Sequence, residues 1–156
     1  MHIRAYQTAD APQLGQVFKA SVCALGPLDY SAAQVKAWAQ RAPSAQRAAA
    51  LNKDGRTTLI AVDADENVKA FIDLERSGHI DFLCAMPDVA GGGIVAQLYE
   101  ALEQVARDWQ LRRLFTEASE GAKRFFLKQG FQVVQRRNFK IASIAIHNYE
   151  MEKSLI

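Results

Sequence analysis

Two cysteines are all the chain of 156 residues contains, and Cys23 and Cys84 are spaced for neither a zinc site nor a disulfide framework. No metal is therefore expected. Charge of one sign is also missing: 19 basic residues against 17 acidic leave a formal +2, too near balance for a dedicated nucleic-acid binder. No stretch approaches the roughly 18 to 20 apolar residues of a membrane span. The opening MHIRAYQTADAP is broken by Arg4 and Asp10, so it lacks the apolar run of a signal peptide and the expected address is the cytoplasm. With four prolines, no internal repeat and no low-complexity linker, residues 1–156 read as one domain. The 49% hydrophobic and 23% charged content places that domain in the ordinary globular class.

The periodicity changes along the chain. After a short strand at 2–6, Asp10 and Gln13 form a capping-box pattern with Pro12 in the first turn. Leu14, Val17, Phe18, Val22 and Leu25 then recur at helical spacing up to Gly26–Pro27. Ser31 and Gln34 open a second helix that stops before Pro43, and alanine-rich 44–51 forms a third. From Thr57 the period becomes two. Strands over 57–62, 68–74 and 79–86 make an antiparallel meander, with Ile80, Phe82, Cys84 and Met86 on one face of the third and His79, Asp81, Leu83 and Ala85 on the other. A helix over 92–108, a strand over 111–117, a helix over 119–129 and a hairpin of strands 131–137 and 140–152 complete the chain. The layout is mixed α/β, a central sheet of about seven strands with helices on both faces.

One segment concentrates chemistry. A strand ends at Pro87, and Gly91-Gly92-Gly93 then opens an amphipathic helix. The first N–H groups of a helix have no internal partner and lie at the positive end of its dipole, and glycine lets the backbone approach a ligand closely. Such a turn can bind a pyrophosphate. No Gly-Lys-Ser/Thr follows at the spacing of a nucleotide-hydrolysing loop, and the preceding strands are antiparallel, unlike a dinucleotide fold.

In this order of elements the chain resembles the GNAT superfamily of acyl-CoA-dependent N-acetyltransferases, and within it the YafP-type acetyltransferases. The signature Pro-x-x-Gln/Arg-Gly-x-Gly-x-Gly/Ala is similar to Pro87-Asp88-Val89-Ala90-Gly91-Gly92-Gly93-Ile94-Val95 here, with Ala90 and Val95 as departures. A second signature, Asn-x-x-Ala-x-x-Phe-Tyr-x-x-x-Gly-Phe, is matched by Ala122, Phe125, Gly130 and Phe131. Ser119 stands for its Asn and Phe126 for the Tyr that often serves as general acid.

The resemblance implies a single domain whose antiparallel meander leads into a parallel strand pair splayed at the cofactor site. Acetyl-CoA would be the donor and CoA the product. Ala90, Gly91, Gly92, Gly93, Ile94 and Val95 would receive the pyrophosphate through their backbone, with Ser119 and Lys123 near the cofactor. Leu83 and Ala85 would bind the pantetheine arm, the Leu83 N–H polarising the thioester carbonyl. Asp81 or Glu75 acting through a water, with His79 third, would take the amine proton, and Tyr149 would return one to the thiolate. Leu28, Tyr30, Trp38 and His79 would shape the acceptor site. Glu75 and His79 read equally as wet turn residues, Trp38 as packing and Tyr149 as a structural hydroxyl. The expected acceptor is a primary amine on a small molecule, with no nucleic acid or membrane partner and a monomer or homodimer as the assembly. The alternatives are a CoA-binding module without transfer, and acetylation of a protein or peptide.

Overall fold

The protein, described over residues 1–156 by a computed structural model, places its strands in two four-stranded sheets. The first holds β1 (His2–Ala5), β2 (Thr57–Val62), β3 (Val68–Leu74) and β5 (Leu83–Ala85), all antiparallel. The second has the order β4 (His79–Ile80), β6 (Arg113–Ala118), β8 (Ile144–Ser154), β7 (Gln132–Ile141), with β4 and β6 parallel. The expected mixed α/β meander followed by a parallel pair is present. The count is eight because the expected strand at 79–86 is divided between the sheets.

The division has a local cause. The amides of Asp81 and Phe82 both donate to one oxygen, Oδ1 of Asp73, at 2.9 and 2.8 Å. In a regular strand successive N–H groups point to opposite edges, so two on one acceptor make a bulge. The bulge resets the side-chain parity. Ile80 belongs to the same core as Leu83 and Ala85, while Phe82, Cys84 and Met86 belong to the opposite one. The expectation that Ile80 shares a face with Cys84 is therefore corrected, because strict alternation does not survive this step.

Helices cover both faces. The core against α1 (Ala11–Leu25), α2 (Ala32–Ala39) and α3 (Ala45–Leu51) contains Leu14, Val17, Phe18, Ile60 and Phe71. The core against α4 (Ile94–Asp108) and α5 (Glu120–Lys128) contains Ile72, Leu98, Leu102, Leu114 and Phe126, none more than 1% exposed. Burying each such side chain contributes about 1.5–3 kcal/mol.

The caps differ in part from expectation. Ser31 and Gln34 form the expected box at α2. Asp10 instead pairs with Gln7, because its carboxylate accepts the Gln7 N–H at 2.7 Å and the Arg4 fork at 2.9 and 3.0 Å. That leaves Gln13 free to accept the Val68 N–H at 2.8 Å. The closing hairpin turns at Ala142–Ser143, both with positive φ (47° and 69°), and not near Asn138, which stays in the ladder opposite His147.

Candidate active site

β4 and β6 are paired at His79–Phe115 and Ile80–Thr116 and then part, β5 following β3 while β6 stays with β8. The fork opens into a cavity of about 570 Å³. Phe18, Val22, Leu25, Tyr30 and Trp38 line it from the α1–α2 side, and Gly91, Gly93, Val95, Ala122 and Phe125 from the α4–α5 side. Backbone groups point into the fork. The Phe82 carbonyl and the Met86 N–H are spent on β3 and its flank, at 3.2 Å to Asp73 N and 2.7 Å to Lys69 O. By alternation the N–H and C=O of Leu83 and Ala85 face the gap.

At the mouth of α4, Gly91 and Gly93 take φ of +78° and +91°, a region that a side chain strains. A Cβ at either would meet nothing within 4 Å, so conformation rather than crowding calls for glycine there, and the space beside them is open. The N–H groups of Gly91, Gly93, Ile94, Val95 and Ala96 donate to no protein acceptor, whereas that of Gly92 is used by Val89 O at 3.1 Å. Ile94 offers backbone alone, since its side chain is 6% exposed in the core beneath α4. Free amides at a positive helix end form an anion site.

A charged cluster lies at the base of the fork. Arg56, with 3% of its side chain exposed, reaches Asp73 at 2.6 Å, Asp54 at 2.9 Å, Asp81 at 3.0 Å and Glu75 at 3.1 Å. Burial pushes the Asp73 carboxyl up to about 6, with the Asp81 charge adding, against Phe82 N–H and Arg56. The His79 Nε2 is 2.8 Å from Glu117 Oε1, and its Nδ1 meets Glu75. The bond to Glu117, aided by Glu75, outweighs burial and raises His79 from 6.5 to about 9; the same bond lowers Glu117.

Of the residues singled out from sequence, Asp81, Leu83, Ala85, Ala90, Gly91, Gly93, Val95, Ser119, Tyr30 and Trp38 line the cavity. Glu75 and His79 do not line it, and they join it through Glu117, which does. Gly92 flanks it. Ser119 uses its hydroxyl to cap α5, accepting the Ala122 N–H at 3.3 Å. Tyr30 packs edge-on against Trp38, donates to His147 O at 3.0 Å and accepts the Glu120 N–H at 3.1 Å. Tyr149 lies outside the lining, its hydroxyl donating to Glu120 at 2.7 Å, with the Lys123 ammonium 4.1 Å over its ring. Leu28 is 75% exposed and also outside. Sequence reading missed Arg56, Asp73 and Glu117. Only Glu117 left a signal, a carboxylate closing the strand parallel to His79.

A raised imidazole value carries a stability consequence. The contribution of His79 is fully present below pH 6.5 and is lost as pH rises through about 9. After a discount for partial exposure, about 2 kcal/mol is at stake. The expected result is a Tm about 4–8 °C lower at pH 9.5 than at pH 6.5, with a flatter profile in His79→Gln. Parallel melting curves for the two proteins over this range would remove the ion-paired imidazole from the account.

Comparison with known proteins gives one answer. Residues 28–153 match the family described as the acetyltransferase (GNAT) domain. The chain is 27% identical over 152 residues to the N-acetyltransferase YafP of Escherichia coli K12, covering 97% of this chain and 94% of that one. The crystal structure of a GCN5-related N-acetyltransferase from Rhodopseudomonas palustris is similar at a TM-score of 0.89 and 34% identity, covering 99% of this chain and 95% of that chain. The PaiA N-acetyltransferase of Thermoplasma acidophilum, solved in complex with coenzyme A, has a TM-score of 0.76 at 18% identity, over 98% of both chains.

Proposed function

The chain belongs to the GNAT acetyltransferase family, and from that premise we propose that it transfers an acetyl group from acetyl-CoA to a primary amine of a small molecule. The observation that carries this reading is the cradle of unpaired amides at Gly91, Gly93, Ile94, Val95 and Ala96 beside a forked sheet. It fits a diphosphate, because the donors are fixed and nothing occupies the space where the glycine Cβ atoms would stand. Acetyl-CoA supplies the activated acyl group. Leu83 and Ala85 align its arm along the gap, and the Leu83 N–H donates to the carbonyl oxygen as charge develops there.

The acceptor enters from the α1–α2 side, between Phe18, Val22, Leu25 and Trp38, with Asp81 and Glu117 at the base. These walls suit an amine on a partly apolar body. An aliphatic ammonium has a pKa near 10 and must lose a proton before its nitrogen attacks. Glu117, on the cavity wall, takes that proton and passes it through water to solvent. His79, an imidazolium below about pH 9, spends both ring nitrogens on holding Glu117 and Glu75 in place. Asp81, tied to Arg56, orients the amine. The C–N bond forms, the C–S bond breaks with its electron pair going to sulfur, and the proton shed by the new amide nitrogen reaches the thiolate through water, so that the N-acetylated amine and the CoA thiol leave.

A second reading, CoA binding without transfer, is favoured by Phe126, which is 1% exposed and has no proton to give where many relatives carry tyrosine. One pair of measurements separates the two. Thermal shift against acetyl-CoA, CoA, ATP and NADPH should show stabilisation by both CoA species alone. Thiol release should then appear across a panel of amino acids, polyamines, aminoglycosides, arylalkylamines and short peptides, strongest on small apolar amines. No CoA stabilisation well above micromolar concentration sinks both readings, while binding without thiol release leaves the second.

A further inference from the structure

We propose that Asp73 is a positioning residue for acyl transfer: its carboxylate holds the bulge that aims the Leu83 N–H at the thioester carbonyl. The inference rests on the reading above and adds to it a group that touches neither substrate. Asp73 is 2% exposed and sits on β3 between Ile72 and Leu74, both fully buried. A carboxylate in that setting needs strong partners to remain. It has them on both oxygens. Oδ1 accepts the N–H groups of Asp81 and Phe82 at 2.9 and 2.8 Å, and Oδ2 accepts Arg56 Nη1 at 2.6 Å.

The main chain closes the grip, since the Asp73 N–H donates to the Phe82 carbonyl at 3.2 Å. Asp73 thus binds the backbone of Phe82 through two different groups, its carboxylate on the peptide before the Phe82 Cα and its main-chain N–H on the peptide after it. The next N–H along the chain is that of Leu83, which faces the fork.

The geometry explains why a carboxylate is used. At the bulge two consecutive amides turn to the same side, and a strand carbonyl presented by β3 cannot meet both in a regular ladder. A short side chain with a charged acceptor can, and charge-assisted bonds of this kind are the strong ones. Arg56 fixes the second oxygen, so the carboxylate has no freedom to rotate. The donor at Leu83 is consequently set before any ligand arrives, which is what stabilising a developing charge requires. The same bulge places the Asp81 side chain and the Leu83 amide on one cavity, two residues apart on a strand that has changed parity.

The test compares wild type with Asp73→Asn, which keeps the volume but turns an amide N–H₂ toward Arg56 or toward the two backbone donors. The expected result is a kcat about 100-fold lower, with the CoA dissociation constant within about twofold of wild type. In addition, the infrared carbonyl stretch of bound 13C-labelled acetyl-CoA should move back toward its frequency in solution. A purely structural role would lower the folded fraction without moving the stretch of the ligand that is bound. If Asp73→Asn does not fold, the wild-type protein still decides. Its Asp81 and Phe82 amide protons should resonate downfield, and the Leu83 amide should move further downfield with acetyl-CoA than with CoA. A wild-type kcat and stretch in Asp73→Asn overturn the proposal, as does a Leu83 amide indifferent to the acetyl group. A wild-type protein that binds no CoA overturns the function itself, a distinguishable failure.

Discussion

Gly93→Glu is expected to raise the acetyl-CoA dissociation constant by about 100-fold or more, from the loss of one to two charge-assisted contacts of about 1.5–3 kcal/mol each. Two effects add. The residue has a φ of +91°, where a side chain costs roughly 1–2 kcal/mol in conformation. The new carboxylate also stands in open space beside four other unpaired amides, where it competes with the diphosphate for the same donors. Gly93→Ala separates these contributions. It carries the strain without the charge, so it should melt like the glutamate variant but bind acetyl-CoA nearly as wild type. Titration calorimetry on both variants, with melting curves for the free proteins, checks the result. Wild-type affinity in Gly93→Glu would place the diphosphate elsewhere and remove the observation on which the function rests.

The second large effect is on stability. Arg56→Met should lower stability by about 3–5 kcal/mol, because it leaves the carboxylate of Asp73 buried with no cation beside it. For a chain of this size that is a fall in Tm of at least about 6–10 °C. The loss should shrink as pH drops from 7 toward 5, since Asp73 already protonates near 6 and a neutral carboxyl needs no counter-ion. Adding Asp73→Asn to Arg56→Met should recover part of the loss for the same reason. Urea denaturation at pH 7 and 5 provides the measurement, and a pH-independent loss would mean that Arg56 stabilises by packing alone.

These two sites differ in how far the sequence discloses them. The glycine run is legible because its physics is local: three glycines after a strand and before an amphipathic stripe dictate both the turn and the free amides. The meander and the helix faces are legible for the same reason, since periods of 2 and 3.6 are written in neighbouring residues. The Asp73 bulge is not. Its bonds join residues eight and nine apart through a carboxylate that reads, in VKAFIDL, as the polar end of a strand. Arg56 reads as part of a turn, and only the fold brings Asp54, Asp73, Glu75 and Asp81 around it. Asp81 and Glu75 were identifiable as acids near the fork, but their common cation was not. The hairpin turn escaped because Ala142 and Ser143 carry none of the usual markers for positive φ.

The strand that leaves one sheet for the other has a mechanical consequence. Residues 79–85 have a hydrogen-bonded neighbour in each half of the protein, β6 for the first part and β3 for the second. The cleft is therefore a permanent branching of the architecture, and no swinging flap is needed to create it. Prising the halves apart must bend the chain at Asp81–Phe82, so the width of the opening and the aim of the neighbouring amide are governed by a single stiff joint.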